Sequence, residues 1–192
     1  MINKLSECFS KRLFLYGVIA EDEQELYTYG FIMFLSYLMY LILALVFGFL
    51  FGCVIEFIIF NISFLFIRRY AGGFHASTET RCELLSILSM IVCAIVLKLS
   101  IIYGWQNIFL ISSAISSVCI FFLCPLDTPE KTLSNKEFAY FRKISRITLF
   151  VIDVVIIFFY CFSLKVIFIP CCVSLTLESL LLIFGKLQKA TK

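Results

Sequence analysis

Apolar positions along the chain fall first into a periodic pattern and then into continuous runs. Ile2, Leu5, Phe9, Leu13, Tyr16 and Ile19 recur at steps of three and four, with Lys4, Lys11 and Arg12 among them. That spacing predicts an amphipathic N-terminal segment, residues 1–25, that lies in a membrane interface or packs on the rest of the protein. After the acidic patch Glu21-Asp22-Glu23-Gln24-Glu25, a helix-start signal, the period disappears. Apolar sequence then runs over 26–47, from a tight turn at 48–52 on to 67, over 84–103, and, after the short turn Gly104-Trp105-Gln106-Asn107, to Cys124. Each approaches spanning length, since ~20 helical residues cross a ~30 Å hydrocarbon core. The last run, Ile147 to Phe184, is too long for one crossing and divides at Ser163-Leu164-Lys165. The prediction is an all-α polytopic membrane protein, a single integral domain over 1–192 with about six transmembrane helices. A version with four spans and two re-entrant hairpins leaves the same polar segments exposed.

Composition agrees with this reading. With 62% hydrophobic and 15% charged residues and a mean hydropathy of +1.04, the chain lies far from water-soluble domains. Residues 1–25 lack a continuous apolar stretch and a small-residue cleavage site, so no cleavable signal peptide is expected. Fourteen of the 16 Lys and Arg residues lie in the N-terminal segment, in residues 68–83, in the basic connection 125–146 and in the C-terminal tail. Lys98 and Lys165 are the other two. The positive-inside rule therefore assigns those segments and both termini to the cytoplasm, with anionic membrane lipid as a partner. Nothing points to nucleic acid.

Seven of the nine cysteines (Cys53, Cys93, Cys119, Cys124, Cys161, Cys171 and Cys172) sit in apolar runs, where a thiol packs as a small hydrophobe. A disulfide framework is not expected. One histidine and no CxxC spacing give no support for a metal site, and no cofactor is implied.

Residues 68–83 form the polar island of the first two thirds of the chain. They hold the single histidine, His75, three arginines, the pair Gly72-Gly73 and Cys82. An imidazole and a thiol on one short loop are the minimum equipment of a base-activated cysteine nucleophile. On an unbroken helix, seven residues separate the two by ~10.5 Å along the axis, beyond hydrogen-bond reach. A working pair needs His75 on a loop and Cys82 in the first turn of the next helix, where the helix dipole favours a thiolate. The glycine pair, which tolerates positive φ, and Ser77 or Thr78 as a cap supply the irregularity. The residues alone also describe a plain cytoplasmic connection anchored by its arginines, the commoner kind of polar loop in membrane proteins. Glu56, Asn61, Lys98 and Asp153 leave open a third class, a small transporter or peptide exporter with polar pathway residues. Lys98 and Glu178 lie near enough to span ends to snorkel, whereas Glu56 and Asp153 suit interhelical contacts or a polar groove.

The string Arg68-x-x-x-Gly72-Gly73-x-His75-x6-Cys82 after two spans, with Pro125-Leu126-Asp127-Thr128-Pro129-Glu130-Lys131 after the fourth and a basic C-terminus, resembles the AgrB family (accessory gene regulator protein B). That family consists of membrane cysteine endopeptidases of Gram-positive bacteria that process AgrD-like propeptides for quorum sensing and virulence regulation. The resemblance implies Cys82 as nucleophile and His75 as base, with Arg68, Gly72 and Gly73 as support around the loop or the oxyanion. It further implies removal of the propeptide's acidic tail, a thioester intermediate, ring closure to a thiolactone or lactone, and a homodimer. The cationic connection with Lys131, Lys136, Arg142 and Lys143 suits either steering of an acidic tail or binding of anionic lipid.

Overall fold

The structure is a computed structural model and describes residues 2–74, 79–126 and 134–190. Seven α-helices follow in order: α1 (Ile2–Leu15), α2 (Gln24–Phe51), α3 (Val54–Ala71), α4 (Glu79–Tyr103), α5 (Gln106–Leu123), α6 (Asn135–Cys161) and α7 (Lys165–Ala190). Five of them, all but α1 and α3, are long and apolar enough to cross a membrane. The sixth long helix, α3, carries Glu56, Arg68 and Arg69 within 18 residues. The protein is an all-helical, multi-pass membrane protein, as its sequence pattern predicts.

Two compact units divide the chain, Met1–Val46 and Phe47–Lys192. In the first, α1 meets α2 through small polar residues. The Ser10 and Thr28 hydroxyls lie 2.6 Å apart, and the Phe9 and Phe31 rings are 5.6 Å apart. Leu5, Phe9, Phe14, Leu15 and Tyr16 are exposed, while Ser6 and Ser10 are buried. An exposed apolar stripe on a helix that also carries Lys4, Lys11 and Arg12 is the pattern of an interfacial helix.

The second unit is built around α7. In its apolar window 61% of residues are buried, against 28%, 17% and 22% in α4, α5 and α6. Without water to drive helices together in lipid, close approach of small residues and interhelical hydrogen bonds carry association. Ser63 on α3 lies 3.3 Å from Cys171, Ser112 on α5 lies 3.2 Å from Thr176, and Ser179 donates to Ser116 at 3.0 Å. The pairs advance together along α5 with α7, as do Ser63 with Cys171 and Arg68 with Glu178 along α3 with α7, so these three helices run parallel. Between α5 and α6 the order reverses: Ser117 donates to Asp153 at 2.7 Å, and Arg146 stacks on Phe121. These directions fit a chain that reverses between α5 and α6 and again between α6 and α7.

Turn residues close the helices where the sequence expects. Gly52 (φ 64) and Gly104 (φ 66) follow α2 and α4, and Ser163 (φ 58) ends the link before α7. Several boundaries differ from the hydropathy reading, among them the end of α2, which runs past 47 to Phe51. Helix α3 extends to Ala71 and so includes Arg68, and α6 begins at Asn135, inside the basic connection. Ser134 caps α6 by accepting from the Glu137 amide at 3.3 Å, while the Glu137 carboxylate accepts from the Ser134 amide at 2.9 Å. This reciprocal capping box starts the helix in a charged stretch, ahead of its apolar residues.

Candidate active site

Helix α3 stops because two successive residues leave the helical region in a way that glycine alone tolerates. Gly72 has φ 78 and Gly73 φ 133. The chain then passes over the side of α7. The amide of Phe74 donates to the Leu181 carbonyl at 3.0 Å, and that of Leu126 to the Ala71 carbonyl at 2.9 Å, so Gly72 and Leu126 form an isolated parallel bridge. Gly185 makes this approach possible, since a Cβ there would lie 2.9 Å from the Phe74 nitrogen and 3.0 Å from the Gly73 carbonyl carbon.

Arg68, in the last turn of α3, holds the loop from its other side. Its Nη1 donates to the Gly72 carbonyl at 2.6 Å and its Nη2 to the Phe74 carbonyl at 2.8 Å. A planar fork spanning two carbonyls is a task for arginine rather than lysine. A Cβ on Gly73 would coincide with Nη1, so the second glycine makes room for the fork. Behind Arg68 stands Glu178 of α7, with Oε1 3.8 Å from Nη1. Glu178 is completely buried at the middle of its helix. This corrects the snorkelling expectation for Glu178. Lys98 does reach toward a helix end, with Nζ 3.4 Å from where a Gly52 Cβ would lie.

Cys82 is the fourth residue of α4, half-buried, with its carbonyl accepting from Ser86 at 2.9 Å. The first turn of a helix is where the spacing argument needed it. His75, Ser77 and Thr78 lie outside the described residues, as does the 127–133 part of the basic connection. The described loop ends at Phe74, so Arg68, Gly72 and Gly73 are brought together immediately before His75. Among the other polar span residues, Asp153 is taken up by Ser117, and the Asn61 amide donates to the Phe57 carbonyl at 2.7 Å.

Sequence reasoning missed Glu178, Leu181 and Gly185 as the seat of the loop. A signal was present, because Cys171, Ser174, Glu178 and Gly185 recur on one face of α7 at helical steps.

A many-helix membrane bundle whose glycine-arginine loop is docked at one end, with a cysteine in the opening turn of the following span, defines the class. The family model described as "Accessory gene regulator B" matches residues 2–183, and the chain belongs to that family. It is 26% identical over 142 residues to an AgrB-like protein of Clostridium perfringens (strain SM101 / Type A), covering 71% of this chain and 66% of that one. An AgrB-like protein 2 of Clostridium perfringens (strain 13 / Type A) is 25% identical over the same shares. A third AgrB-like protein, from Halalkalibacterium halodurans, is 32% identical over 88 residues, which is 46% of this chain and 45% of that one. The chain thus aligns with about two thirds of the length of the first two relatives. No solved structure matches it.

Proposed function

We propose that the protein is a cysteine endopeptidase of the cytoplasmic membrane that trims and cyclises an AgrD-like quorum-sensing propeptide. The observation that carries this reading is membership of the family over residues 2–183 in a chain that keeps Arg68, Gly72, Gly73, His75 and Cys82 together. His75 takes the proton of the Cys82 thiol, and the sulfur adds to a backbone carbonyl near the propeptide's C-terminal end. The tetrahedral adduct collapses to a thioester as the C–N bond breaks. The departing amine, which leads the acidic tail, receives the proton from His75. A cysteine or serine of the retained peptide then gives its proton to His75 and attacks the thioester; the C–S bond breaks, closing a thiolactone or lactone ring and releasing the Cys82 sulfur as thiolate. Exclusion of water protects the thioester, a service that a site at the membrane boundary provides. Basic residues of α6, Lys136, Arg142 and Lys143, offer long-range attraction for an acidic tail.

Two of the four polar span residues behind the exporter reading, Asp153 and Asn61, are already hydrogen-bonded to Ser117 and to the Phe57 carbonyl. The deciding experiment uses purified protein in liposomes with the cognate propeptide. Cys82→Ala and His75→Ala should each lower cleavage by at least ~10³-fold, the scale of losing a catalytic nucleophile or base, while propeptide still binds. Processing that survives both substitutions refutes the proposal.

A further inference from the structure

We propose that Glu178 is a positioning residue for the reaction at Cys82, acting through Arg68 on the loop that leads into His75. The proposal rests on the endopeptidase reading. Its starting point is an anomaly: a carboxyl group with no exposure to solvent, both of whose oxygens lack a hydrogen-bond partner. A buried carboxyl is costly unless paired, and an apolar residue of similar size would pack at that position without the cost. What Glu178 gains is the Arg68 guanidinium, at 3.8 Å. That distance is an ion pair and too long for a hydrogen bond, because the guanidinium has turned its donors to the Gly72 and Phe74 carbonyls.

The arrangement has a direction. Arg68 is 21% exposed along its side chain, so it has somewhere else to go, whereas Glu178 has none. The buried carboxyl group sits on the most buried helix of the bundle and draws the partly exposed guanidinium inward. The guanidinium in turn clamps the two carbonyls that bracket Gly73. Leu181, less than one turn further along α7, takes the Phe74 amide, and Gly185 leaves space beneath the loop. Three residues of one helix thereby fix the backbone up to the residue before His75. Glu178 touches no reacting atom in this scheme. Its effect passes through Arg68 and the loop to the orientation of the imidazole.

The test combines cleavage kinetics with hydrogen exchange in liposomes. Glu178→Gln is expected to lower kcat about tenfold with KM unchanged, the signature of a lost transition-state geometry rather than lost substrate binding. Amide exchange at Phe74 should accelerate in the same variant while the rest of α7 stays protected. The double variant Arg68→Met/Glu178→Leu removes both charges and restores thermal stability, since apolar replacement of a buried pair is often neutral or stabilising. Cleavage should not return with it. Recovery of cleavage together with stability would mean that the pair serves stability alone, and would overturn the proposal. So would wild-type kcat and Phe74 exchange in Glu178→Gln. Should Glu178→Gln fail to fold, Arg68→Met and the double variant decide: equal kcat is required if Glu178 works only through Arg68, and a lower kcat in the double variant refutes it. A wild-type protein that cleaves nothing removes the endopeptidase reading instead, and the exchange data then judge the docking role of Glu178 by themselves.

Discussion

Replacing Gly185 by alanine sets two effects of opposite sign against each other. In a helix interior Gly→Ala ordinarily stabilises by about 1 kcal/mol, because alanine loses less backbone entropy. At Gly185 the new Cβ would lie 2.5 Å from Leu126 Cδ2, 2.9 Å from the Phe74 nitrogen and 3.0 Å from the Gly73 carbonyl carbon. Leucine is able to turn aside, but the other two atoms are backbone, held by the Arg68 fork and by the hydrogen bond to Leu181. Relief requires the loop to lift from α7. The lost Phe74 hydrogen bond costs about 1 kcal/mol, which cancels the propensity gain, and overpacking of this kind costs about 1–3 kcal/mol more. The net expectation is a loss of about 1–3 kcal/mol.

Gly30, on α2, provides the comparison, since a Cβ there meets nothing within 4 Å and its φ is ordinary. Thermal unfolding in detergent should show Gly30→Ala at or above the wild-type Tm and Gly185→Ala below it. Propeptide cleavage in liposomes should fall in Gly185→Ala only, because the lifted loop carries His75. An equal rise in Tm for both variants with full cleavage would refute the claim that the loop is seated on Gly185.

Gly73→Ala should be more severe, since φ 133 strains any L-residue and the new Cβ displaces Arg68 Nη1. Cleavage is expected to be lost in a protein that still reaches the membrane, whereas Gly17→Ala, at φ 70 with open space, should cost only about 1–3 kcal/mol and leave kcat alone. Alkylation separates the cysteines by access: Cys53, Cys93, Cys124, Cys171 and Cys172 are buried, Cys8 and Cys161 exposed, and Cys82 and Cys119 intermediate. Peptide mapping after iodoacetamide should show loss of cleavage tracking Cys82 modification, with Cys8 and Cys161 labelled at no cost. Inactivation with Cys82 unmodified would count against its role as nucleophile.

Helix number and most turns were legible because their signals are local. A run of apolar residues, a Gly at 52 or 104, or the break at Ser163-Leu164-Lys165 each acts within a few positions of itself. The start of α6 was equally local, since Ser134-Asn135-Lys136-Glu137 is a capping signature. A hydropathy reading passes over it because the first twelve residues of α6 carry Lys136, Arg142, Lys143 and Arg146 and look like loop. The positive φ values after α3 followed from the glycine pair, as did the placement of Cys82 in the first turn of α4 from the need for a break before it.

The seat of the loop was a different kind of problem. Arg68 and Glu178 lie far apart in sequence, and neither carries a mark naming the other. What joins them is the packing of α3 beside α7, visible as two contacts in register, Ser63 with Cys171 and then Arg68 with Glu178. The ion pair belongs to a series of polar contacts along α7 that includes Thr176 and Ser179 on its α5 side. In a bundle surrounded by lipid, apolar faces do not choose their neighbours, and such contacts supply the specificity. The same contacts that select α3 as a neighbour of α7 therefore also fix the end of α3, where the loop begins. Assembly of the bundle and alignment of the site are, on this argument, one event, and substitutions at Ser63 or Cys171 should loosen the loop without touching it.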